Sequence, residues 1–287
     1  MIEQTPARPS WLRETLALLR ACWWRVLAIS VVTEGVALLA VGGLLLSGTF
    51  GPSPGLGLDE PVYIVGVYVL PAVLSGVCTA WAWAAGVEVL RGAGEGRRVR
   101  VGVALGLGVR RGGRLALWLA GVGLIRAAAS FYVFYGFTDY PYSISSVETL
   151  STVMTVGGWY LSFATALLPL VVLFERRGPM RAWLLAHSRA ATIGQIVAVL
   201  AFGWAADELA DLVLTQALQA DVLYALPWSL QLTTNSVLGV LTSAVTMTAL
   251  TVAYLHRVAV PGMPGGPSAD PAPDGAEPVV IELGRTW

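Results

Sequence analysis

Apolar residues in this chain gather into six long runs, at about 26–47, 62–89, 115–137, 149–174, 190–214 and 229–255. Each is long enough, at about 1.5 Å of rise per residue, to cross about 30 Å of hydrocarbon as a helix. The polar segments between them alternate in kind, one rich in Arg and the next without any. This pattern predicts an all-α fold: a polytopic membrane protein of six transmembrane helices, arranged as three hairpins with interfacial lead-in helices.

The polar segments refine that outline. Residues 1–25 read as a cytoplasmic amphipathic segment. Ser10 is placed to cap a helix beginning at Trp11; Leu12, Leu16, Leu19 and Trp23 share one face, with Arg13 and Arg20 roughly opposite. The charged, Trp-rich lead is too long for the n-region of a cleavable signal. Gly48 to Pro61 and residues 138–148 are Arg-free loops carrying Asp59, Glu60, Asp139 and Glu148. Residues 90–114 hold seven Arg, and their glycines argue against a rigid helix. An aromatic cluster from Phe131 to Tyr142 marks an exit from the hydrocarbon. Glu175, Arg176 and Arg177 end the fourth run, and Gly178-Pro179 restarts a short amphipathic helix before the fifth. Residues 258–287 are Pro, Gly, Ala and acid, the composition of a disordered cytoplasmic tail. The alternative there is docking of Val279, Val280 and Ile281 as a strand on a partner.

Charge sets the orientation. Seventeen of the 18 Arg fall in the alternate segments and tails that share one side, so that side, with both termini, is expected to be cytoplasmic. Composition agrees with a lipid surround: 56% of residues are hydrophobic and 13% charged, about half the charge of a soluble domain. Every basic residue is Arg; without Lys there is no phosphate-binding P-loop, so the chain does not power itself with ATP. Cys22 and Cys78 fall in different environments and are not expected to pair. With two His there is no metal-binding His pair, no cofactor is expected, and no nucleic-acid partner is implied.

Three units share one order: a basic segment, a run, an Arg-free loop, and a run ending in a polar cluster. The endings are Glu88 with Arg91, Glu175-Arg176-Arg177, and His256-Arg257. This is either an internal repeat, as in transport folds, or the rhythm of any six-span protein with short outer loops.

Polar groups at membrane depth are candidate sites because they are costly there. Arg126 lies about 16 Å into the third run and Glu34 about 12 Å into the first, measured from the same side. They are expected to pair, as a structural clamp or as a gate in a polar path. Asp207, Glu208 and Asp211 form a second set. Asp207 and Asp211 share a helix face, with Glu208 about 100° round. That spacing could hold a divalent cation and is similar to the acidic motif of prenyl transferases, but no second acidic motif exists. Partners for Arg126, or an acidic outer vestibule, fit better. At the basic side, Arg13, Arg20, Arg176, Arg177, Arg181 and Arg189 are candidate contacts for anionic lipid headgroups.

Glu175, Ala182 and His187-Ser188-Arg189, with Leu19-Arg20 before Trp23-Trp24-Arg25, carry a resemblance. The stretch from Phe174 to Gly194 resembles the membrane domain associated with bacterial glycerophosphodiester phosphodiesterases, and related six-span families. That family's soluble catalytic barrel has no counterpart in this sequence. The resemblance therefore implies a bacterial inner-membrane module without the enzyme. The expected role is a non-enzymatic accessory or scaffold module handling lipids or amphiphiles at the inner leaflet. The alternative is a permease subunit powered by a separate ATPase chain.

Overall fold

The computed structural model describes residues 10–46, 68–138, 144–219 and 227–258. Among these every regular element is a helix: α1 (Trp11–Leu46), α2 (Leu70–Gly94), α3 (Val101–Arg111), α4 (Gly113–Thr138), α5 (Ile144–Thr165), α6 (Pro179–His187), α7 (Ala190–Gln219) and α8 (Pro227–Val258). Five stretches are long and apolar enough to cross a membrane: Trp11–Ala40, Leu70–Gly94, Ser151–Glu175, Ala190–Leu209 and Leu238–Val258. The architecture is thus all-α and polytopic. The 26-residue α4 covers the residues of the third expected span but is not among these five stretches. The loop at 48–61 and the tail lie outside the described residues.

Two local expectations change. The lead-in segment and the first span are one uninterrupted helix of 36 residues. The reason is in the sequence: from Trp11 to Glu34 there is no Gly or Pro to break it. At about 54 Å the helix exceeds the hydrocarbon thickness, so its beginning extends past the core of the bilayer or tilts within it. Thr15, Leu18, Cys22, Val26 and Ile29 make its buried stripe, and Leu12, Leu16, Trp23 and Trp24 its exposed apolar side.

The glycine-rich 90–114 segment does form a helix, α3, contrary to the sequence expectation. Its glycines are spent on close approach rather than on flexibility. A Cβ at Gly108 would sit 2.9 Å from Trp81 Cδ1 and 3.0 Å from the Ala85 amide nitrogen on α2. Trp81 Nε1 donates to the Leu105 carbonyl at 2.9 Å, tying the two helices. The close-packing pair is Gly108 and Gly112; Gly102 and Gly106, which have the same four-residue spacing, face open space.

α2 lies at the centre of its half, with α1 and α4 along its flanks and α3 across its basic end. α8 packs along α1 and α7, so the first and last helices are neighbours. α5 meets α6 and α4 over similarly small contacts and α7 over a smaller one still. Beyond Thr165, the short turn Leu168–Leu170 and one wide π-type turn, Val171–Glu175, carry the chain to the basic end. Pro169 cannot donate a backbone hydrogen bond there, which loosens the α-helical ladder. Leu167, Leu168, Leu170 and Val171 are buried.

Candidate functional site at the basic end of the bundle

The wide turn ends on Glu175, and its hydrogen-bond partners define the site. Tyr254 of α8 donates its hydroxyl to Glu175 Oε1 at 2.9 Å. Arg181 of α6 donates Nε to Oε2 at 2.9 Å. Tyr254 is only 2% exposed. Its ring stacks on Phe174, with centroids 5.5 Å apart and planes at 12°. Arg176 then takes a left-handed conformation at φ 53°, uncommon for a residue with a side chain, and turns the chain back toward Gly178 and Pro179. One carboxylate thereby joins the wide turn, the start of α6 and the end of α8.

A second set lies beside it. Arg257 of α8 donates Nε to Ser188 Oγ at 2.8 Å, and that hydroxyl donates to the Leu185 carbonyl at 2.7 Å. The charges of Arg189 and Arg181 both reach Arg257. His187 fills an aromatic corner, with ring centroids 4.6 Å from Trp183, 5.0 Å from Phe163 and 5.9 Å from Tyr160. Its Nδ1 stands 2.8 Å from the Trp183 carbonyl, and because a carbonyl only accepts, Nδ1 carries the proton. His187 is thus a packing and positioning side chain.

The other two run endings use the same device. Glu88 at the end of α2 pairs with Arg111 of α3. His256 at the end of α8 meets Glu14 near the start of α1, and Trp11 Nε1 donates to the Ala249 carbonyl at 3.1 Å. In each case a group at the end of a long helix is held by a residue of a lead-in segment. The third pair has its acid and base exchanged. On the turn after α2, hydrogen bonds from Arg97 and Arg91 hold the Glu95 carboxyl below the usual carboxylate range.

The intramembrane candidates are arranged differently from the expectation. Arg126 donates to Ser162 Oγ, joining α4 to α5 at their narrow seam. Glu34 lies near Cys78 on α2, and among the described residues no ion pair joins it to Arg126. Ser162 was not singled out by sequence because its short side chain sits in a run rich in Ser and Thr. A double-mutant cycle checks this partnership by unfolding in micelles. Arg126→Leu and Ser162→Ala should couple by about 0.5–1.5 kcal/mol, whereas Arg126→Leu and Glu34→Gln should add. Coupling to Glu34 instead of Ser162 would restore the expected pair.

Asp207 and Glu208 are exposed on α7, and the side chain of Asp211 lies outside the described residues. Among the described residues no group of three or more His, Cys, Asp or Glu is gathered to hold a metal. Cys22 and Cys78 are buried free thiols. Of the headgroup candidates, Arg13, Arg20, Arg176 and Arg177 are exposed, while Arg181 and Arg189 are partly buried. Sequence reasoning missed Tyr254, which ties Glu175 to the last helix. A tyrosine inside an apolar run was the available signal, since a buried phenol needs a partner.

No family model matches this chain, and no curated protein or solved structure matches it either. The resemblance drawn from Glu175 to Arg189 therefore rests on those residues alone.

Proposed function

We propose that this protein is an accessory or scaffold module of the bacterial inner membrane, with six spans in three hairpins, that engages anionic lipid at the cytoplasmic leaflet. Both termini then lie in the cytoplasm. One observation carries the reading: each lead-in segment exposes apolar side chains beside arginine. On α1 these are Leu12, Leu16 and Trp23 with Arg13 and Arg20; on α3, Val103 and Val109 with Arg110; on α6, Met180 and Leu184 near Arg177. Apolar groups that dip into acyl chains while guanidiniums meet headgroups are the signature of an interfacial surface. The resemblance to the phosphodiesterase-associated membrane domain agrees with a lipid-facing role.

The test is lipid retention by the full chain. Protein reconstituted in mixed phosphatidylcholine and phosphatidylglycerol nanodiscs is released into the gas phase, and the lipids that stay bound are weighed. Phosphatidylglycerol should be enriched over its share of the bilayer, and Arg13→Gln with Arg20→Gln should reduce that enrichment. Retention in bulk proportion by the unaltered chain would sink the proposal.

A second reading, a permease subunit driven by a separate ATPase chain, draws support from the narrow seam where α5 meets α4 and α7. Copurification of an ATPase in mild detergent would favour it, and its failure to appear would count against it.

A further inference from the structure

Arg126 and Glu34 carry opposite charges, and both are exposed at membrane depth. Arg126 lies near the middle of the 26-residue α4, about 18–20 Å from either end. From there its side chain is too short to reach an interface. The Ser162 hydroxyl that it bonds is a neutral acceptor and leaves the charge unmet. Glu34 falls within the first crossing stretch, Trp11–Ala40. Cys78, near it on α2, is a thiol and brings no positive charge. Among the described residues neither Arg126 nor Glu34 takes part in an ion pair. A lone charge facing hydrocarbon is strongly disfavoured, and the natural relief is a charge of opposite sign at the same depth.

The fold holds the two charges where a second copy can meet both. α1 and α4 pack along the flanks of α2 and scarcely touch one another. α4 is here the third span of the six proposed above. Two copies in one membrane share their orientation, so a twofold axis relating them runs along the membrane normal. Such an axis keeps depth and exchanges flanks. α1 of one copy then faces α4 of the other, and α4 faces α1. Charges on the two flanks can meet only if their depths match. Counted from the basic side, Glu34 is about 12 Å and Arg126 about 16 Å into their runs, a difference that an arginine side chain spans. Ser75 and Thr79, four apart on one face of α2, are exposed, and short side chains there let the two α2 helices approach at the axis. We propose that the protein forms a twofold dimer in the membrane, in which Arg126 of each copy pairs with Glu34 of the other. One contact made twice then meets both charges. The dimer goes beyond the engagement of lipid and does not depend on it.

Cross-linking between differently tagged full-length chains tests this. In a Cys22→Ala/Cys78→Ala background, one chain carries Glu34→Cys and the other Arg126→Cys. Both are reconstituted together in vesicles of phosphatidylcholine and phosphatidylglycerol. Circular dichroism verifies the helical content of each. A mixed dimer keeps one native ion pair and sets the two new thiols against each other. A short bifunctional thiol reagent should give a product with both tags and little product with one tag twice. No mixed product, or mixed and same-tag products in the proportions of chance collision, overturns the dimer.

Charge reversal reads the same contact as an equilibrium, by energy transfer between labelled copies as lipid is added. Arg126→Glu alone and Glu34→Arg alone should each weaken association by about tenfold or more, and the two together should largely restore it. A folded double variant that associates no better than the singles overturns the pairing. So does an unaltered chain that stays single at every dilution; retention of phosphatidylglycerol lost with Arg126→Gln would then assign the counter-charge to lipid. The cycle in micelles described above concerns the single chain, in which Arg126 and Glu34 add. In vesicles where copies associate, the same two residues should couple.

Discussion

Gly76→Ala should destabilise the protein by about 1–3 kcal/mol, although alanine is the better helix former by about 1 kcal/mol. The cause is backbone, not side chain. A Cβ at Gly76 would lie 2.6 Å from the Ala120 amide nitrogen and 2.8 Å from its Cα. Neither atom can rotate away, so α2 and α4 must separate. Gly123 shows the same closeness from the other helix, with its Cβ position 3.0 Å from the Ala72 carbonyl oxygen. Small residues at such crossings are how helices in lipid gain contact without a hydrophobic drive. Gly106→Ala is the control, because nothing lies within 4 Å of its Cβ position and Gly106 is exposed on α3. It should be neutral or stabilising by up to about 1 kcal/mol. Unfolding midpoints of the two variants in one detergent decide the matter; equal midpoints would mean that the α2–α4 crossing is looser than described.

Glu175→Leu should cost about 2–3 kcal/mol, the larger part from partners left without an acceptor. Tyr254 is almost fully enclosed and cannot turn its hydroxyl to water, while the Arg181 side chain, at 17% exposure, recovers some hydration. Tyr254→Phe alone should cost about 1 kcal/mol. The double variant should fall short of the sum by about 1 kcal/mol, because the phenol that Glu175→Leu strands is no longer there. Strict additivity would show that Tyr254 and Glu175 do not depend on one another. Limited proteolysis after Arg176 and Arg177 gives a second readout: the exposed turn should be cut faster once α6 loses its tether to the wide turn.

Much of this was legible in the order of residues. Runs of apolar side chains in a chain with so little charge leave few alternatives to membrane-crossing helices, and Gly178-Pro179 marked the restart of α6 because Pro suits a first helical turn. Glycine misled because its two roles look alike in one dimension. The same residue that loosens an isolated helix permits α3 to lie against α2, and only the facing Trp81 and Ala85 tell which role applies. Gly102 with Gly106 and Gly108 with Gly112 share one four-residue spacing, yet only the second pair lies against α2, a choice that spacing alone does not make. The partner of Arg126 was sought by depth along the run, and depth is one coordinate of three. Glu34 was chosen on that coordinate alone, and the hydrogen bond goes to Ser162. Long-range partners such as Tyr254 with Glu175, or Glu14 with His256, are separated by 79 and 242 residues, and no local pattern links them.

The contact between the start of α1 and the end of α8 has a consequence for how the protein is made. Trp11 bonds to Ala249 and Glu14 meets His256, so α1 completes its packing only once α8 is present. Until α8 arrives, the stripe from Thr15 to Cys22 has no α8 surface to close on. A chain interrupted anywhere before residue 249 therefore leaves the start of α1 without these contacts.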